Sequence, residues 1–433
     1  MEDRILDAAL NVASAAEVYS ESVIAMTVAF EANRCHAIEN KITRGLGLRV
    51  IWNGKIGFSS TTNPERIGEL VEAAVTTARF GQPAGFELPP DQVLPQPLIA
   101  RSRISLLPAE RMKLVGDHVI ELCQEKIPDM KVDLFFQRVF SSVRLVNSNG
   151  FEATYEKANY SLDFTGLRII DSSLVWISDF LNLSKDGVLD AEALVKRVAD
   201  QSRQAQRAAK LTTKSYPCIF TYAAPLALLS AIAEGVNGKN LEKGISPLIG
   251  KETAKLLDEK LTIWDDGLKP FSFGSAPFDG EGIPRQKTPL FERGVFRNFL
   301  LDLKTAAATQ RKSTGSGGRS YASVPAPALS NIVVRPGVMN LERAISGMGE
   351  GLVIYSTVGA GQSNLLAGDF SLGMGLGFKV EKGEIVGRVK NAMVAGNIYE
   401  IGRELVGIGD TPHDFGDASV PFLYFPGLNV AAT

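Results

Sequence analysis

Apolar and polar positions divide the chain into a first half of alternating helices and strands and a second half rich in glycine and β-like runs. Residues 2–19 place apolar side chains at helical period, which predicts a helix there, followed by a strand over Glu21–Glu31. Gly45–Phe58 reads as a hairpin, because two β-rich runs flank Asn53-Gly54, a pair that accepts the positive φ angles of a tight turn. A second helix is expected with Asn63 as N-cap, Pro64 in its first turn, and Ile67, Leu70, Val71, Ala74 and Val75 along one face. Gln82–Pro97 is proline-rich, lacks periodicity and reads as a linker. Beyond it the pattern predicts a helix from Pro108 to about Glu125, with Met112, Val115, Val119 and Leu122 inward. Strands follow from Lys131 to Ser173, turning at Asn147-Ser148-Asn149-Gly150, and then a polar, alanine-rich helix over Asp190–Lys210.

The second half opens with a strand at Pro217–Tyr222 and a short helix at Pro225–Ala233. Glycine is then dense in Ser313–Ser320 and Gly359–Gly377, and Phe378–Val386 reads as another hairpin. The fold class expected is α+β: an N-terminal helix-plus-sheet region followed by a glycine-rich, mainly antiparallel β C-terminal domain. The divisions expected are 1–90, 98–212 packed with the first, and 215–433.

Composition narrows the function classes. With 46 basic and 48 acidic residues in 433, the net charge of −2 supplies no positive field for nucleic acid or an anionic membrane. No run of apolar residues is long enough to span a membrane, and the N-terminus does not resemble a secretory leader. Cys35, Cys123 and Cys218 are few and far apart, so a disulfide framework is not expected and a reducing cytoplasm is.

Candidate chemistry is sparse. His36, His118 and His413 stand alone, and a metal centre needs ligands that converge. A nucleophile-elbow motif is absent, and Cys218 in a strand reads as a buried, inert thiol. Gly373-x-Gly375-x-Gly377 lacks the spacing and following helix of a nucleotide site. Glycine in strands more often marks bulges or places where another backbone approaches closely, and the second meaning suits a cleft accepting an extended peptide. Asp279-Gly280-Glu281-Gly282 puts two carboxylates on one face if extended, although a solvated turn is the plainer reading. Arg319 could clamp a peptide carboxylate or pair with one of these acids. A self-held metal would have to draw on Asp279, Glu281 and His413.

Five blocks in register then resemble the TldD/PmbA family, once named modulators of DNA gyrase: Gly45–Phe58; Asp279–Glu292 with Leu300–Ala306; Ser313–Arg319; Ala367–Ser371; and Ala395-Gly396-Asn397. The resemblance implies a two-subunit cytoplasmic metallopeptidase. One subunit carries His-Glu-x-x-x-His on a helix, and a cysteine near its C-terminus, as a zinc site. Here those motif positions fall near Ser230, Ala231 and Gly235, and no cysteine lies beyond Cys218, which resembles the PmbA/TldE-like branch. The expectation is therefore a chain without catalytic residues or a cofactor of its own, with zinc held by a TldD-like paralogue in a heterodimer. Its substrate would be an unfolded peptide, and the peptide-cleft candidates are Asp279, Glu281, Arg319, Gly359 and Asp369. The alternative is a homodimer that binds peptides or regulates without hydrolysis.

Overall fold

Six long strands make the first sheet, in the order β3-β2-β1-β4-β5-β6: β1 (Ala15–Glu31), β2 (Arg34–Trp52), β3 (Lys55–Thr61), β4 (Lys131–Asn147), β5 (Glu152–Ile170) and β6 (Ser173–Asn182). The coordinates are a computed structural model that describes residues 1–99 and 107–432. All pairings in this sheet are antiparallel, and strands from 1–90 and 98–212 share it, so the two expected regions are one structural unit. Residues 100–106, inside the second expected region, lie outside the described residues.

Side chains alternate across the sheet at the strand period of two. On β1, Ala16, Val18, Val28 and Phe30 lie on one face and are buried beneath helices α1 (Glu2–Leu10), α2 (Ile67–Ala78), α3 (Ala109–Lys126) and α4 (Ala191–Gln204). Glu17 and Tyr19, of the opposite parity, are buried as well, and they turn toward the second half of the chain. Asn53 (φ 49°) and Gly54 (φ 73°) make the tight β2–β3 turn as expected. Asp190 caps α4 by accepting a hydrogen bond from the Ala193 amide at 2.9 Å.

Two helix boundaries differ from expectation. The first helix stops at Leu10, and Ala15 onward is strand, because the apolar positions of Ala16 and Val18 continue a β alternation that also fits a helical count. Asn63 does not cap α2. Its side chain accepts from the Glu65 amide in a local turn, and the helix starts at Ile67 after Arg66, which lends no side-chain cap.

In the second half, five strands close on themselves: β7 (Lys214–Phe220), β8 (Glu350–Val358), β9 (Asp369–Glu381), β10 (Ala392–Asn397) and β11 (Leu423–Ala432). β7 and β8 run parallel, and the pairs β7–β11, β11–β10, β10–β9 and β9–β8 are antiparallel. β9 makes the closing corner by leaving β10 at Gly373 and continuing along β8. A Cβ at Gly373 would lie 2.9 Å from Val358 Cγ2, and one at Gly375 would lie 2.8 Å from Ser356 Oγ. The close approach expected at these glycines is thus with the chain's own neighbouring strand, and the glycines let the sheet bend into a ring. Helix α5 (Ala224–Val236) packs its apolar face into this half's core. A four-residue strand, Ile263–Asp266, anchors a second small sheet beside it.

Candidate functional site

Three of the sequence blocks meet at one buried point between the halves. Arg49 of β2 donates through Nη1 to Glu281 Oε1 (2.6 Å) and through Nη2 to Glu17 Oε2 (2.8 Å). Arg319 donates to the other oxygen of Glu17. Glu281 Oε2 accepts from the Leu303 amide at 2.6 Å, so the Leu300–Ala306 block joins as well. Asp279 accepts from the amides of Glu281, Ile283 and Gly317. All five side chains are withdrawn from solvent.

The local backbone explains the glycines. A Cβ at Gly45 would strike the Tyr321 ring, one at Gly47 would lie 2.5 Å from the Tyr321 carbonyl, and one at Gly280 would lie 2.6 Å from Arg319 Cγ. The strap 317–321 therefore crosses β2 at contact distance, and Arg319 passes through the gap. Asp279–Ile283 is a turn, with the two carboxylates reaching different partners, so they do not share an extended face. Nor is the turn solvated. Arg319 pairs with Glu17 of β1 and not with either acid of that turn. Glu281 and Arg319 thus join the two halves, while Asp279 braces the turn against Gly317 within the second half, and all three side chains are buried.

The electrostatics follow from burial. The Glu281 carboxyl is pushed up to about 7, first by desolvation, with Asp279 and Asp302 adding and Arg49 opposing. Its 2.6 Å contact with Arg49 favours the ionised group, but burial, with two further buried carboxyls beside it, sets the upward direction. Asp279 is raised for the same first reason. Burial, with like-charge repulsion from Arg49, holds Arg319 below its ordinary value, whereas Arg49, gripped by two carboxylates, is raised. Arg49 and Glu17 escaped the sequence reading: each looks like an ordinary polar position of a strand, and Glu281 is 232 positions from Arg49.

The remaining blocks meet at one end of the ring of strands. β8 ends at Val358 opposite Gly373, and Asp369 at the start of β9 faces Asn397 at the end of β10, so Gly359, Asp369 and Asn397 share that end. Asn397 Nδ2 donates to Asp369 Oδ1 (2.8 Å) and to the Ala367 carbonyl (2.9 Å), and its Oδ1 accepts from the Tyr399 amide. Gly359 adopts φ 89° and, like Asp369, is exposed. Of the five cleft candidates, these two are the exposed ones.

The same end carries α5. Ser230 is exposed and its hydroxyl donates to the Leu226 carbonyl (2.9 Å), while Ala231 and Gly235 are buried. A Cβ at Gly235 would lie 2.1 Å from Tyr399 Oη, and one at Gly368 would lie 2.6 Å from the Tyr399 ring. The tyrosine therefore fills the space beside both glycines. A zinc ion does not fit these three positions, because a hydroxyl used by the backbone, a methyl group and a glycine against a half-buried tyrosine offer no ligand set. Among the described residues, no three His, Cys, Asp or Glu side chains gather to hold a metal. His36 and His118 are exposed and apart, and His413 lies against Tyr222 and Phe415. Cys218 is fully buried and its thiol is raised by desolvation. Among the described residues no helix is long and apolar enough to cross a membrane.

Fold and site define an α+β protein whose glycine and acid blocks lock two halves together, beside a ring of strands whose end helix carries Ser230, Ala231 and Gly235. The chain belongs to the PmbA/TldD family, a metallopeptidase-related group: residues 213–432 match the PmbA/TldA metallopeptidase C-terminal domain and residues 16–78 match the PmbA/TldA metallopeptidase domain 1. It is 23% identical to the metalloprotease PmbA of Escherichia coli O157:H7, over 98% of this chain and 94% of that one. It is 30% identical to a metalloprotease TldD homologue of Buchnera aphidicola, over 49% of this chain and 46% of that one. The fold is that of TldE from Thermococcus kodakarensis, with a TM-score of 0.92, 22% identity and 99% of each chain covered.

Proposed function

We propose that this chain is the non-catalytic subunit of a TldD/TldE-type cytoplasmic metallopeptidase, pairing with a zinc-bearing TldD-like paralogue and helping to form the cleft for unfolded peptides. The observation that carries the reading is helix α5. Its motif positions hold Ser230, Ala231 and Gly235, and Tyr399 packs where a ligand at Gly235 would have to stand. In this reading Gly359 and Asp369, exposed at the same end, face the shared cleft. The Arg49–Glu281 network serves them indirectly, by fixing the halves and so the shape of the wall. The likeness to both PmbA-type and TldD-type proteins supports descent from a common chain. Paralogous chains can pair through related surfaces about a pseudo-twofold axis.

The test is co-expression with the TldD-like paralogue of the same source. The expected result is a complex that co-elutes on size exclusion and cleaves an unfolded peptide, with neither subunit sufficient alone. Failure of the two to associate, together with cleavage indifferent to this chain, would sink the reading. A stable dimer of this chain alone that binds peptide would favour a stand-alone homodimer instead.

A further inference from the structure

β2 outruns the strand on its outer side. β1 pairs with it from Arg34 to Ile51, whereas β3 pairs with it only from Leu46 onward. Among the described residues no strand lies against the outer side of 34–45, so that stretch presents a bare edge. Sheets ordinarily blunt such an edge with proline, a bulge or several lysines. Between Ala37 and Thr43 this edge has one lysine and no proline, and the irregularity in its register with β1 falls outside, at His36. Ile38 is 51% exposed and Ile42 55%. Glu39, Asn40 and Lys41 are exposed as well, and among the described residues no hydrogen bond or ion pair uses their side chains.

The order Ile38-Glu39-Asn40-Lys41-Ile42 is its own complement when reversed. Two copies laid antiparallel about a twofold axis through Asn40 set Ile38 against Ile42, Glu39 against Lys41, and Asn40 against itself. Directly opposed side chains on one face are what stabilises a strand pair. Ile38, Asn40 and Ile42 lie opposite Val28, Met26 and Ile24 of β1, hence on the helix-bearing face, while Glu39 and Lys41 point the other way. Isoleucines from both copies would therefore cluster on one face and two opposite-charge pairs would form on the other. The Asn40 amide, both donor and acceptor, can bond its own copy. Asn40 is also the midpoint of 35–45, so this one register uses the free edge up to where β3 of the second copy begins. Moving the axis to Glu39 or to Lys41 sets like charges against each other, which opposes pairing.

We infer that the free edge of β2 binds the same edge of a second copy of this chain, joining two six-stranded sheets into one continuous antiparallel sheet. The contact is isologous, the same surface on both sides, and closes after two copies. The inference is independent of the subunit reading: this edge belongs to the first half, and the end of the ring that carries α5 belongs to the second.

The test is sedimentation velocity of the full chain by itself, from about 1 to 100 μM. The expected result is a reversible dimer of the 46.6 kDa chain that loosens as salt is added. Glu39→Lys and Lys41→Glu should each weaken self-association at least about tenfold, because each sets like charges opposite one another twice. An equimolar mixture of the two variants should recover the dimer, since each supplies the charges that the other lacks. The double variant Glu39→Lys/Lys41→Glu should self-associate as the unaltered chain does. Both positions are exposed, so the charge changes leave the fold intact. A monomer at every concentration would leave the edge to a strand of some other protein and overturn the proposal. A dimer indifferent to both single changes, or a mixture that stays monomeric, would overturn it too.

Discussion

Gly235 marks where this chain departs from a metal-binding helix, and its neighbour Tyr399 makes the departure structural. Gly235→Ala places a methyl group against the tyrosine hydroxyl, and overpacking of this kind costs about 1–3 kcal/mol. Tyr399→Phe in the same chain removes that hydroxyl and should recover part of the loss, read as urea midpoints. No recovery would mean the clash is not with Tyr399. Glu281 makes a second residue-level prediction. In the unfolded chain its carboxyl releases its proton near 4.5, whereas the folded site keeps it to about 7. The folded state therefore binds the extra proton between those values. The contribution is largest at the acid end and is lost as pH rises through that window, by an amount on the order of 3 kcal/mol. Glu281→Gln should flatten the dependence between pH 5 and 8, leaving the part that belongs to Asp279. An unchanged slope would assign the proton elsewhere. The residues that carry this network were half legible in the sequence. Asp279, Glu281 and Arg319 stood out beside glycines, while Glu17 and Arg49 were hidden in strands whose partners lie far along the chain.

Elements were legible where the pattern was long and unambiguous, as in α3, α4 and the β2–β3 hairpin. They were misread where two periods fit the same few residues, as at residues 11–19, or where a capping residue had a local use, as at Asn63. The ring of strands was not legible, because closure depends on β9 changing partners at Gly373 and periodicity says nothing about pairing. The hairpin block makes its own prediction. A Cβ at Gly57 on β3 would lie 2.0 Å from the Ala74 carbonyl of α2. Backbone cannot yield as a side chain can, so Gly57→Ala should lift α2 from the sheet and cost about 2–3 kcal/mol. Faster amide exchange in both α2 and β3 would report the separation, and protection equal to the unaltered chain would refute it.

At the scale of the whole molecule, the two halves are joined by a buried ion network. Arg49→Met strands Glu281 and leaves Glu17 with Arg319 alone. Breaking one side of a buried pair costs about 3–5 kcal/mol, far above a surface ion pair. If the network couples the halves, the urea transition of this variant should also broaden or split, and a shift under about 1 kcal/mol with one sharp transition would rule the coupling out. That the first two expected regions form one sheet with helices on one face was partly legible. That the start of β1's opposite face, at Glu17 and Tyr19, is also buried was not, since it is covered by a strap some 300 positions away, where Arg319 meets Glu17 at a separation of 302.

The closed ring of strands also bears on how the chain comes off the ribosome. Thr213, just before β7, is hydrogen-bonded to Ala432 at the end of β11, 219 positions later. Until those last residues emerge, β7 lacks its antiparallel neighbour and presents a bare edge, the feature that invites intermolecular pairing. The sheet of the first half has all its strands by Asn182 and can assemble during synthesis. Maturation of the second half must wait, and a nascent-chain chaperone holding that edge would act in the interval between the two.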